Sequence, residues 1–225
     1  MSCGQFQSAH VNKEIGYRVT DSGKIMHWPQ NSEIGLSFEE DFPLEAKQAI
    51  ESSYSIYNNN LENISLQTNN YSVAKFQGNK SFSGTNTVHW ISQDQAWPFE
   101  DKHPTASAVT ISYYNQDGIY GTKLFFRESK LNYAKSSINK SLFFAFLQKK
   151  ENILAQAASI ETGLKLNFKT IEALAGHELG HSLGLVHSDD KEALMYPDIE
   201  RAQINRTEKL NHEDKERLAR AYLLK

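Results

Sequence analysis

Three histidines, a glutamate and a glycine at fixed offsets carry the most specific chemistry in this chain of 225 residues. The stretch reads His177-Glu178-x-x-His181-x-x-Gly184-x-x-His187, with Met195 eight residues after the last histidine. Positions four apart share a helix face, so His177 and His181 can offer two imidazoles to one ion. Glu178 lies one residue further round the helix, near enough to reach a water on that ion without ligating it. Glycine adopts left-handed backbone at no steric cost, so Gly184 can end the helix and turn the chain back. His187 then returns as a third nitrogen ligand. Three protein ligands and an open position describe a catalytic zinc site, whereas a structural site closes all four. In such a site Glu178 is the expected general base, taking the proton of the water and handing it to a leaving amine.

Composition narrows the classes further. A formal charge of −3 gives no electrostatic case for nucleic acid. No apolar run approaches the roughly 18 residues of a membrane helix; the longest, Leu142–Leu147, is far shorter. The single cysteine, Cys3, excludes an intrachain disulfide. Met1-Ser2-Cys3-Gly4 is similar to the mature start of a bacterial lipoprotein, which implies a lipid anchor at Cys3 and a secreted or cell-envelope protein. The alternative is a free thiol near the terminus. The expected state is a monomer.

The histidine stretch with its later methionine resembles the metzincin zinc peptidases, whose motif is HExxHxxGxxH followed by a Met-turn. Ser188 after the third histidine, and Ala193-Leu194-Met195-Tyr196-Pro197, are most similar to the matrixin branch. The resemblance implies an α+β metzincin fold: a mixed, twisted five-stranded sheet with an antiparallel edge strand, a zinc helix, a Met-turn and a C-terminal helix. It implies one zinc, bound by His177, His181 and His187, and hydrolysis of extended polypeptides. The alternatives are a zinc-binding module without turnover and a narrow peptidase with one protein target. Met195 is expected to floor the site. Tyr196 directly follows it, whereas metzincins with a transition-state tyrosine place that residue two after the methionine, so Tyr196 and Pro197 are expected at the pocket wall. Cys3-Gly4 matches the matrixin latency switch only in that pair, since the flanking Pro-Arg and Val-Pro-Asp are missing. Calcium needs several oxygen ligands held close together, and the Gly- and Asp-rich calcium loops of many matrixins are not recognisable here.

The elements that must position these groups are legible in outline. Glu33–Phe38 alternates Ile34, Leu36 and Phe38 as a half-buried strand does, and is similar to the first matrixin strand. Pro43 opens a helix that Asn58-Asn59-Asn60 ends. Ile64–Thr68 and Thr87–Ser92 read as strands, the latter with His89 packed or hydrogen-bonded rather than on metal. Gly16–Thr20 is a further short strand, and the connection from Asn69 to Ser83 has no clear period. Ala106–Tyr114 and Ile119–Phe126 flank Asn115-Gln116-Asp117-Gly118, a hairpin signature. By resemblance the first of these is the edge strand over the cleft, so that Ala106, Ser107, Ala108 and Val109 are expected to bind substrate. Ser136–Thr162 repeats apolar residues at threes and fours and reads as an inserted helix ended by Gly163. Thr170 then caps a separate zinc helix, with Gly176 and Gly180 marking close packing. Asn211–Leu224 is a terminal amphipathic helix, capped by Asn211 with Asp214. The domain reading is an extension over 1–30 and a catalytic domain over 31–225, with the insertion at about 136–162 and a lower subdomain over 185–225.

Overall fold

The computed structural model describes residues 9–131, 153–197 and 210–225. Cys3 and the first part of the expected inserted helix lie outside them. Two short strands come first, β1 (Ala9–Asn12) and β2 (Tyr17–Thr20), paired as an antiparallel hairpin. A five-stranded sheet follows, built from β3 (Ser32–Phe38), β4 (Ile64–Thr68), β5 (Asn86–Ile91), β6 (Ala108–Asn115) and β7 (Gly118–Arg127). Its order is β4-β3-β5-β7-β6. Pairing is parallel up to β7, and β6 runs antiparallel along the outer edge. This is the expected α+β architecture, with an antiparallel edge strand on a mixed sheet.

The inner strands are buried on both faces, as parallel strands usually are. One face of β5 and β7 gives Val88, Trp90, Leu124 and Phe126 to the main core. The other gives Ile91 and Phe125 to a smaller core closed by Trp97 and Phe99. His89 belongs to that second face. Its Nδ1 lies 2.7 Å from Glu39 Oε1, its Nε2 lies 2.8 Å from Thr87 Oγ1, and its ring stacks on Phe125. Both ring nitrogens are thus taken within the core.

Helix α1 (Leu44–Asn58) begins directly after Pro43 and packs on α2 (Ile153–Ser182). Here the structure corrects two expectations. Helix α2 runs through Gly163 and Thr170 without a break, so Gly163 is not a C-terminus and Thr170 is not a cap. Glycine inside a helix costs only about 1 kcal/mol relative to alanine, and no proline interrupts this stretch. The terminal helix is also shorter than expected. Asn211 and Asp214 cap α3 (His212–Ala219) reciprocally, but the chain then leaves the helix and Leu224 bridges to Leu61.

Residues before β3 join the main body. Tyr17, Val19, Met26 and Trp28 are buried, and Trp28 Nε1 donates to Ser182 O at the end of α2. Tyr17 bridges to Leu185 and Val186 N donates to Gly16 O, which ties the β1–β2 hairpin to the chain between His181 and His187.

Candidate active site

Helix α2 presents His177 and His181 one turn apart and ends directly behind them. Leu185 N donates to Gly180 O and Gly184 N to His181 O, at 3.0 Å each, with Gly184 at φ +97°. Those two bonds and the left-handed residue form a Schellman end, which satisfies the last carbonyls while reversing the chain. A Cβ on Gly184 would also collide with Met26 O. The reversal brings His187 back, and the three histidine ligand atoms lie within 4.8 Å of one another. Among the described residues this is the one group of three or more His, Cys, Asp or Glu side chains able to share a metal ion.

The backbone fixes which nitrogen faces the centre. His177 Nδ1 donates to Leu194 O and His181 Nδ1 to Leu185 O, each at 2.8 Å. In both rings Nε2 is left as the lone-pair donor, the second-coordination pattern of metal-binding histidines. Burial drives the His177 pKa down to about 4, with its carbonyl bond opposing. Burial lowers His181 strongly and His187 as well, and neighbouring positive charges add to the effect. Near neutral pH all three are therefore uncharged, the state required of a ligand. A nitrogen donor set held neutral in this way fits zinc.

Met195 is fully buried, in a turn where Ser188 N donates to Met195 O at 2.9 Å. A Cβ on Gly180 would collide with Met195 Sδ and stand 2.7 Å from Tyr57 Oη, so glycine lets this turn approach the helix. The carbonyl holding His177 belongs to the same turn. Leu194 N in turn donates to the buried Asp214 Oδ2 at 2.8 Å, an oxygen that also accepts from Asn211 N.

Glu178 is 4% exposed. Thr110 Oγ1 on the edge strand donates to Glu178 Oε2 at 2.6 Å and lies 3.1 Å from Glu178 O. Burial raises the Glu178 pKa to about 7, against the pull of the Thr110 hydroxyl. Ser112, two residues along the same face of β6, donates to His181 O at 3.1 Å. The sequence reading missed Thr110 and Ser112. Their only signal was two hydroxyls two residues apart on a strand, which ordinary β-formers also supply.

Between β6 and the histidines lies an open cleft of about 1160 Å³. Ala106, Ser107, Ala108, Val109 and Pro197 line it, together with the three histidines and Glu178. Tyr196 does not; it is half-buried, its N–H bonded back to Ala193 O. Along β6 the backbone is asymmetric. Arg127 N donates to Ser107 O at 2.9 Å, and the register pairs Ala108 with Phe126 and Val109 with Phe125. Antiparallel pairs alternate, so Val109 is the next hydrogen-bonded partner in the sheet. The N–H groups of Ala108 and Thr110 then point off the open edge.

Comparison with known proteins places this geometry. Stromelysin-2 of Rattus norvegicus is 75% identical over 24 residues, which are 11% of this chain and 5% of the length of that protein. Archaemetzincin of Archaeoglobus fulgidus is 12% identical, covering 83% of this chain and 99% of that one, with a TM-score of 0.46. Myroilysin is 11% identical over 88% of this chain and 95% of its own, with a TM-score of 0.42. The family model of the peptidase M10 group, described as Matrixin, matches residues 26–223, a span that takes in the sheet, the three histidines and α3. The chain belongs to the matrixin family of zinc metallopeptidases.

Proposed function

We propose that this matrixin is an endopeptidase that cuts extended polypeptides, with Glu178 as its general base. The observation that carries the reading is the placement of Glu178, buried beside the three neutral histidines and facing the cleft under the edge strand. His177, His181 and His187 would hold the zinc. When bound, zinc supplies a Lewis acid that activates water near neutral pH and polarises the peptide carbonyl. Glu178 accepts the proton of that water at Oε and passes it to the departing amine nitrogen. Thr110 keeps the carboxylate aimed by occupying one of its oxygens. The peptide adds to β6 as a further strand, bonded to the outward N–H groups of Ala108 and Thr110, while Pro197 bounds the pocket wall. The turn at Met195 serves as the Met-turn, an apolar floor that keeps His177 in place. Export to the envelope or medium, with Cys3 as lipid anchor, is part of the same proposal.

The test separates chemistry from architecture. Glu178→Ala retains zinc and fold but loses about 10²- to 10⁴-fold in kcat, the usual size of a general-base contribution. Zinc content and turnover of a casein-derived peptide measure the two. Turnover equal to wild type would mean that another group takes the proton.

A further inference from the structure

The cleft carries a charge that the chain as a whole does not. The sequence holds 24 Lys and Arg against 27 Asp and Glu. Among the described residues, however, those facing the cleft include Lys13, Arg18, Lys80, Lys102 and Lys130, against Asp101 and the buried Glu178. All five cations are exposed. Lys13 is paired with Asp189 at 3.1 Å, and Lys80 lies over the Phe99 ring, 4.4 Å from its centroid. Arg18, Lys102 and Lys130 make no ion pair among the described residues.

The topology sets these three cations at opposite ends of the edge strand. Arg18 O accepts from Met26 N, His27 O accepts from Ile119 N, and Ile119 pairs with Tyr114 near the far end of β6. Arg18 therefore stands at the Tyr114 end, close enough for its charge to act on the His181 imidazole. Lys130 closes the short 3-10 turn Glu128–Lys130 that follows β7. Arg127, just before that turn, bonds Ser107 O and, through its guanidinium, Pro104 O. That holds Lys130 and the loop carrying Lys102 at the Ala106 end. Thr110, over Glu178, lies between the two ends. From Thr110 each end is about three to four residues of extended chain away, at about 3.3 Å per residue.

We propose that the cleft selects polypeptide segments with Asp or Glu on both sides of the cut bond, about three to four residues from it. Arg18 meets the carboxylates on one side, and Lys102 and Lys130 those on the other. The inference deepens the endopeptidase reading and rests on it for the position of the cut. Charges of one sign along a cleft wall focus the field and raise both capture rate and selectivity. Each exposed contact contributes a factor of about two to five, so the effect is strongest at low ionic strength.

Three quenched fluorescent peptides test this, identical except for Glu, Gln or Lys at both flanking positions. The holoenzyme is assayed for kcat/KM at about 0.02 M and about 0.5 M salt. Binding of the same peptides to zinc-loaded Glu178→Ala is followed by anisotropy, which reads charge selection without turnover. The Glu peptide is expected to exceed the Gln peptide about tenfold at low salt, narrowing to about twofold at high salt. R18Q should abolish the preference at one flank, and K102Q with K130Q the preference at the other. This ratio is unaffected by a general loss of folded enzyme. Equal use of the Glu and Gln peptides, or a preference that survives all three substitutions, would overturn the proposal. So would tighter binding of an oligonucleotide of matched charge, which would make the wall a nucleic-acid surface. Preferential binding of the Glu peptide with no cleavage of any peptide would fail the endopeptidase reading and still support the charge selection.

Discussion

Thr110 shows how much one hydroxyl can decide. It donates to Glu178 Oε2 and reaches the carbonyl of the same residue, so the edge strand and α2 meet at the proposed base. Thr110→Val keeps shape and β propensity but removes the donor. It should retain zinc and lose about tenfold in kcat, in line with one lost hydrogen bond to a charged group. Thr110→Ser should restore most of the rate. The hydroxyl favours the carboxylate form of Glu178, so its loss should also move the acidic limb of the rate profile to higher pH. Undiminished turnover in Thr110→Val would remove the residue from the mechanism. The histidine cluster and the buried glutamate beside it were legible in sequence because their spacing follows the helix repeat and the reversal at Gly184. Thr110 was not, since its partner is 68 positions away and nothing local records the contact.

Among elements, the sheet was the most legible. Alternation gave β3 and β4 nearly to the residue, because a strand with one face in the core must place apolar side chains at every second position. The outward or inward sense of a backbone N–H has no such signature, since every residue type carries the same group. The Ser107–Arg127 bond supplies it, and it separates two neighbouring prolines. Val109→Pro removes a donor inside the sheet and should prevent folding or lower Tm sharply. Ala108→Pro removes a donor on the open edge, so fold and zinc should survive while kcat/KM on long peptides falls. Thermal melts and peptide assays on both variants decide it; matching behaviour in the two would place the substrate elsewhere. The helix break expected at Gly163 failed for a different reason. Glycine signals an end only where the backbone must turn, and around Gly163 the flanking residues are good helix formers. The β1–β2 hairpin was only half legible, because strands of four residues leave too short a period to read.

For the whole molecule, the metal-stripped protein should be sensitive to acid. A buried imidazole with a depressed folded pKa resists protonation while the unfolded chain accepts the proton. Its stabilising share is complete above about 6.5, the unfolded value, and is lost as pH falls towards the folded value of about 4 for His177. His181 and His187 act in the same sense. Glu178, raised to about 7, and Asp214, also raised by burial, act oppositely, since their stabilising share fades as pH rises. Three imidazoles outweigh two carboxylates between about pH 4 and 6.5. The apoprotein should therefore melt at a lower temperature at pH 5 than at pH 7, with net proton uptake on unfolding. Calorimetry in buffers of differing ionisation enthalpy measures both, and a higher Tm at pH 5 would show that the carboxylates dominate.

The bond from Leu194 N to Asp214, one residue's length from the carbonyl that holds His177, has a consequence far from the cleft. It makes the last helix a thermodynamic neighbour of the metal. Linkage is reciprocal, so whatever zinc gains from a well-held His177 it returns to the order of α3. At free zinc about 100-fold above its dissociation constant the return is about 2.7 kcal/mol. Amide hydrogen exchange should register it as slowing of about 100-fold at Leu194 and across α3 when zinc is added. Asp214→Ala should uncouple the two, so that zinc slows exchange around the histidines and leaves the C-terminal helix nearly as it was.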